Sequence, residues 1–411
     1  MARNRVIYQS EALYVSKDAS SIASGEHAQL ERVQSANYSF NINRQDVNQY
    51  GTLARIGTEI IEPPTVTADF SYYLTQGFNE KALNFSVQTG YKNSGNFPSG
   101  HMVGGSGQNL YILTVPEGVD ADDVDAGEYT PSAANNNAFQ FVGIGNCYIS
   151  DYTVDLAVGA LPTVSVTMEG SNIVSDVTVS GQNNFGFTGI ETPAVNQESG
   201  TDLGLFVTIP YPSSGVISTN DVVYPVALRP ADVSVSLGTL SDDSMVVIDG
   251  SDEAHIQSCS ISLPLSRTPL NRLGSKFAYA RTVDFPIAAT LSINAIVNEQ
   301  KALNLADRLD EFDQKEISVV INNPKATGNG LPFDYETNNN RAIAYTFKGA
   351  SLDNTSISSS IGANKSVDLT FSTEIGGVND ADHGVFVHVS SGITSGDAPI
   401  WGPGLSDNYT A

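Results

Sequence analysis

The chain has little of what most enzyme chemistry needs. Among 411 residues there are two cysteines, one tryptophan and five histidines. Cys147 and Cys259 form neither a disulfide framework nor a metal-ligand spacing, so they read as free thiols. Cations are scarce as well: 20 Lys and Arg stand against 45 Asp and Glu, a formal charge of −25. Between Lys92 and Arg229 there is no Lys or Arg at all, while fourteen Asp and Glu fall in that span. Such a surface repels phosphate backbones and argues against a grip on nucleic acid. It serves solubility, or it keeps DNA from sticking. No apolar run is long enough for a signal peptide or a membrane span. The expectation is a chain made and folded in a cytoplasm, with no membrane partner.

Catalytic groupings are missing too. His383 and His388 are five apart in an expected strand and point to opposite faces, which a shared metal does not tolerate. "GGSGQ" (104–108) lacks the Lys-Ser/Thr of a phosphate loop. The cluster Asp120, Asp122, Asp123 and Asp125 lacks the alternating ligands and distant Glu of a calcium loop and reads as a solvated acidic segment. No enzyme activity, cofactor or metal is expected.

What is present is short runs of Val, Ile, Thr, Tyr and Phe split by Gly, Asn and Pro, which indicate an all-β chain. Its length suggests two or three domains. The runs repeat. "VQSANYSFNINRQDVNQYG" (33–51) matches "IQSCSISLPLSRTPLNRLG" (256–274) without a gap. Gln34, Ser35, Ser39, Arg44, Asn48 and Gly51 recur as Gln257, Ser258, Ser262, Arg267, Asn271 and Gly274, an offset of 223. Inside "EPPTVTADFSYYL" and "DFPIAATLSINAI", which read as alternating strands, Pro63 meets Pro286 at the same offset. "NEKALNF" (79–85) returns as "NEQKALNL" (298–305) and continues with Leu309 and Phe312 at helical spacing, so one short helix per repeat is expected. "YTVDLAVGALPTVSVTME" (152–169) then matches "TSISSSIGANKSVDLTFS" (355–372) at an offset of 203, each a β-hairpin with a Gly-containing turn. The twenty residues lost from the offset correspond to an exposed Gly-rich and acidic insertion in the first copy, "SGNFPSGHMVGGSGQ" and "EGVDADDVDAGE".

The division that follows is a first copy over 1–175, a connector over 176–235 with a possible strand at "LGLFVTIPY", a second copy over 236–377 and a C-terminal arm over 378–411. Arg44 with Asn48, and Arg267 with Asn271, lie in the loop after the first strand of each copy. An arginine there ties down its own loop, or reaches a neighbouring subunit where its planar fork finds bidentate partners.

Strand, arginine-bearing loop, strand, helix and alternating hairpin, together with "RVIYQSEALYVS" and "DYTVDLAVGALPTVSVTMEGSNI" (151–173), resemble the tail-tube proteins of bacteriophages. The resemblance implies two tandem tube-like β-sandwich or barrel domains, each giving four strands to a channel: 33–42, 64–75, 151–159 and 163–170, then 256–265, 287–297, 354–361 and 365–373. It implies a structural virion protein assembled in the host cytoplasm, a homotrimeric ring with pseudo-sixfold symmetry, and rings stacked into a tail tube. About 24 strands at roughly 4.8 Å give a circumference of about 115 Å, wide enough for a duplex about 20 Å across. By the same resemblance Arg44, Asn48, Arg267 and Asn271 are subunit-interface residues. Asp69, Asp155, Glu169 and Asp368 line an acidic lumen through which DNA passes without specific binding. Other partners are the tape measure, tail terminator and baseplate, and stacking falls to the connector and the C-terminal arm. The alternatives are a baseplate hub ring and, from another class, a β-sandwich adhesin or glycan-binding protein.

Overall fold

Strict alternation of apolar and polar residues sets the strands that matter most, because a strand turns successive side chains to opposite faces. The computed structural model describes residues 11–17, 27–62, 64–75, 77–89, 95–102, 107–114, 140–176, 217–218, 221–222, 230, 233–236, 255–273, 278, 280–297, 314–322, 341–362 and 364–389. The first half opens with β1 (Glu11–Ser16), β2 (His27–Gln29), β3 (Val33–Asn41), β4 (Arg44–Val47), β5 (Gly57–Ile60) and β6 (Thr65–Tyr73). It continues through α1 (Phe78–Ala82), β7 (Val87–Thr89), α2 (Ser99–Met102), β8 (Gln108–Thr114), β9 (Gln140–Ala157), β10 (Thr163–Gly170) and β11 (Asn172–Asp176). Next come β12 (Ile217–Ser218), β13 (Asp221–Val222), β14 (Val233–Ser236), β15 (His255–Pro264), β16 (Arg267–Leu270) and β17 (Ala280–Val283). The last strands are β18 (Ala288–Ile296), β19 (Lys315–Asn322), β20 (Arg341–Ser358), β21 (Ser366–Glu374) and β22 (Gly384–Val389). The protein is all-β, with two short helices among the described residues. The helix expected over 298–312, the acidic segment 117–128 and the strand at 203–211 lie outside them.

Eight strands form one antiparallel sheet in the order β3-β6-β10-β9-β15-β18-β21-β20. Each overlaps a segment expected to be a strand, although β9 and β20 begin well before the expected 151 and 354. The first-half block β3-β6-β10-β9 and the second-half block β15-β18-β21-β20 share one pairing scheme. Tyr72 faces Val164 in the first and Ala295 faces Val367 in the second, positions shifted by the sequence offsets. Irregularities recur as well. The ladder slips at Gln34 in β3 and at Gln257 in β15. Each bulged glutamine donates its Nε2 proton to the carbonyl two residues earlier, Gln34 to Arg32 at 3.0 Å and Gln257 to His255 at 3.1 Å. A bulge bends and twists its strand, so two at one register give both blocks the same local bend. The turns after β9 and β20 place Gly159 at φ 84° and Gly362 at φ 87°, left-handed values that glycine adopts without a Cβ clash.

β9 and β20 are 18 residues long and serve two sheets each. The N-terminal half of β9 pairs with β8 and β11, and beyond β8 lie β1 and β2. The N-terminal half of β20 pairs with β19 and β22, extended by β14 and by β7 in parallel. The apolar face of the eight-stranded sheet packs into a single hydrophobic cluster containing Phe70, Tyr72 and Val154 from the first half and Ile261, Leu291 and Phe371 from the second. Length argued for separate cores; the two halves instead share one, because β15 lies directly on β9.

Three local expectations change. β22 lies in the expected C-terminal arm yet is buried along its whole length, and β14 belongs to the second-half sheet rather than to the connector. The Gly-rich stretch is not an exposed loop throughout. Asn96, Phe97 and Ser99 are buried, and the Phe97 backbone N–H donates to the Val385 carbonyl at 2.7 Å. A strand buried on both faces, or one aromatic anchor in a polar run, leaves no periodicity to read.

Candidate functional site

The outer face of the eight-stranded sheet is nearly all hydroxyl, amide and carboxylate. Ser35, Asn37 and Ser39 on β3, Thr67, Asp69 and Ser71 on β6, and Ser165, Thr167 and Glu169 on β10 share it with the matching residues of the other block. Asp69, Asp155, Glu169 and Asp368 all fall on this face. Thr167 donates to Asp69 at 2.8 Å, Ser260 to Asp155 at 2.6 Å and Asn294 to Asp368 at 2.6 Å. Neighbouring strands thus orient the carboxylates and leave their charge towards solvent. Asp151 and Glu374 belong to the same face by register. Their odd-even position was the signal that could have placed them. Among the described residues, the paired segments of this sheet, with β9 and β20 counted only from 151 and 351 onwards, carry no Lys or Arg on the outward positions. Arg281 comes to the border of the face, 3.5 Å from half-buried Glu169.

The arginine loops are hairpins, β4 with β5 and β16 with β17. They share a register but not a fate. Arg267 donates through Nη2 to the His101 carbonyl at 2.6 Å and lies 4.6 Å over the Tyr148 ring. Arg281 donates to the carbonyls of Glu169 and Gly170 at 3.3 and 3.2 Å. The second-half hairpin is therefore clasped onto the first block, across the seam between β9 and β15. The contacts of Arg267 with His101 and Tyr148 are made within the chain and in the other half, rather than in its own loop. Arg44 and Asn48 are exposed, and so is Asn271.

Beneath the seam lies a buried polar knot. Tyr72 donates to Glu80 Oε1 at 2.9 Å and Tyr152 reaches the same oxygen at 3.2 Å, while the Tyr152 and Tyr345 hydroxyls meet at 2.9 Å. Burial raises the Glu80 carboxyl above the usual range. His101, edge-on to Phe85 at 4.6 Å, moves the other way. Burial, and then the Arg267 guanidinium beside it, lowers its pKa from 6.5 to about 3. The unfolded chain therefore binds a proton that the folded chain refuses. Stability from this group is complete above pH 6.5 and drains away as pH falls towards 3. Between pH 6.5 and 4 that loss is roughly 3 kcal/mol. His101→Asn should lower stability at neutral pH yet flatten the fall over this window, and denaturant titrations at several pH values measure both. Parallel curves for the two proteins would show that His101 is protonated when folded. Glu80 pulls with opposite sign, but it is common to both proteins and cancels in the comparison.

The cysteine thiols are buried and pushed up to about 12 by that burial, so they stay protonated and are poor nucleophiles. Among the described residues no three His, Cys, Asp or Glu side chains gather as metal ligands, and no helix is long and apolar enough to cross a membrane. No protein-family model matches the chain, and no curated protein is significantly similar to it.

Proposed function

We propose that the chain is a structural virion protein that builds a phage tail tube. Three copies close into a ring with pseudo-sixfold symmetry, and rings stack around an acidic channel that passes DNA. One observation carries this reading: the two halves are joined by sheet continuation. β15, the first strand of the second block, lies on β9, the last of the first block. Among the described residues the outer strands left over are β3 and the C-terminal half of β20, the repeat counterparts of β15 and β9. A second chain can add to the first just as the second half adds to the first half. Such a head-to-tail contact closes when successive steps amount to a full turn, and a step of about 60° closes after six halves, or three chains. Closure also removes the bare edges that would otherwise template aggregation.

The polar face supports the second part of the proposal. Carboxylates among hydroxyls offer a passing duplex hydrogen-bonding groups but no cation, so no counterion release rewards binding. The role is structural rather than catalytic, and the setting is the virion, with the tape measure, tail terminator and baseplate as neighbours. Native mass spectrometry and cryo-EM of the purified full chain should give three chains per ring. Six chains per ring, or monomers under all conditions, would overturn the proposal. Copy number per virion separates a repeating tube from a single hub ring.

A further inference from the structure

We infer that the seam between chains pairs β3 with the C-terminal half of the partner's β20 in one definite register, and that hairpin β4–β5 closes over it with a weaker clasp than the one inside the chain. The inference rests on the ring reading proposed above, and its template is the internal seam. There Ser258 faces Ala157, Ser260 faces Asp155, Ser262 faces Thr153 and Pro264 faces Asp151. The backbone bonds Val158 N to Gln257 O and Leu265 N to Ser150 O, at 2.9 and 2.8 Å, flank the paired strands. Moved by the offsets of 223 and 203, these pairs become Ser35 with the partner's Ser360, Asn37 with the partner's Ser358, Ser39 with the partner's Ser356 and Asn41 with the partner's Asn354.

Burial marks β3 as an interface awaiting its neighbour. Ile261 and Leu263 on β15 are each 1% exposed, whereas their counterparts on β3, Tyr38 and Phe40, are 46% and 61% exposed. The strand is the same and the pairing to the next strand inward is the same. What differs is that β15 has β9 along its outer edge, while β3 has no strand there among the described residues. Ile357 on β20 is the counterpart of buried Val154 and is only partly covered in the single chain. A second copy of this chain fits both edges at once.

The clasp is thinner at this seam. Arg44 corresponds to Arg267, but Thr58 stands where Arg281 would be. On the receiving side Ser351 and Ser372 replace Tyr148 and Glu169. The second guanidinium, its carboxylate and the aromatic platform are all missing. Rings should therefore part between chains and release folded monomers before the seam at β9 and β15 opens.

Paired cysteines test the register. The native thiols are both buried, so they can stay in place. Asn37→Cys with Ser358→Cys, oxidised in assembled full-length protein, should give covalent trimers. Because a disulfide demands a narrow Cβ separation, it should form at least about tenfold faster than in Asn37→Cys with Ser356→Cys or with Ser360→Cys. Faster crosslinking of either shifted pair, or no crosslinking of any pair in rings visible by cryo-EM, overturns this register while leaving the ring intact. Absence of rings from the unsubstituted protein overturns the ring reading itself.

Discussion

Changing Asp69, Asp155, Glu169 and Asp368 together to Lys is expected to turn assemblies that ignore DNA into assemblies that hold it. Each substitution reverses the charge at one position on the outer face, and three of the four side chains are exposed, so the core is untouched. Glu169 is half-buried beside Arg281 at 3.5 Å, so its replacement also removes the carboxylate facing that guanidinium, which stays held by the backbone carbonyls of residues 169 and 170. Purified variant assemblies should bind duplex DNA at low salt and release it as salt rises. With about four phosphates engaged, affinity should fall roughly a hundredfold between about 50 and 200 mM salt, because each neutralised phosphate releases condensed counterions. If the chain builds a tail tube as proposed, the same change should slow or stall ejection. If the variant assembles, fails to bind DNA and ejects at the normal rate, these residues do not face the channel.

The second large effect is on stability. Phe97→Ala should cost about 3–5 kcal/mol, the usual range for a buried aromatic truncated in place. Phe97 stacks on Phe85 with ring centroids 4.2 Å apart and planes 6° apart, and lies 5.3 Å from Tyr152 and 6.2 Å from Tyr345. It sits where the first half meets the second, so little around it can collapse into the space. The vacated volume borders the rings of Tyr152 and Tyr345, whose hydroxyls meet at 2.9 Å. Denaturant unfolding with an unchanged slope and a lower midpoint would match the expectation. A loss below about 1 kcal/mol would show that the halves are not locked through this ring.

The sequence alone determined the all-β class, the eight strands of the main sheet and the polar character of its outer face. Those strands have one buried and one exposed face, and strict alternation writes both into the chain: Val66, Ala68, Phe70 and Tyr72 point inward while Asp69 points out. The sequence match between the halves lies in the same pattern, Gln34 to Gly51 recurring as Gln257 to Gly274 at a fixed offset. The sequence could also show that Arg44 and Arg267 occupy equivalent loops, though not that one is exposed and the other is spent on Tyr148 and His101. That difference exists because the second half has the first as a neighbour, whereas among the described residues no strand lies along the outer edge of β3. Tertiary structure alone decided that the halves share a core, that β22 is interior and that Phe97 anchors the junction. Each of these depends on contacts between residues far apart in sequence. β22 is buried along its whole length, so it carries no alternation, and Phe97 is an isolated apolar residue among Gly, Ser and Asn. Local periodicity reports what faces water within one strand; which strand lies beside it is settled by long-range packing.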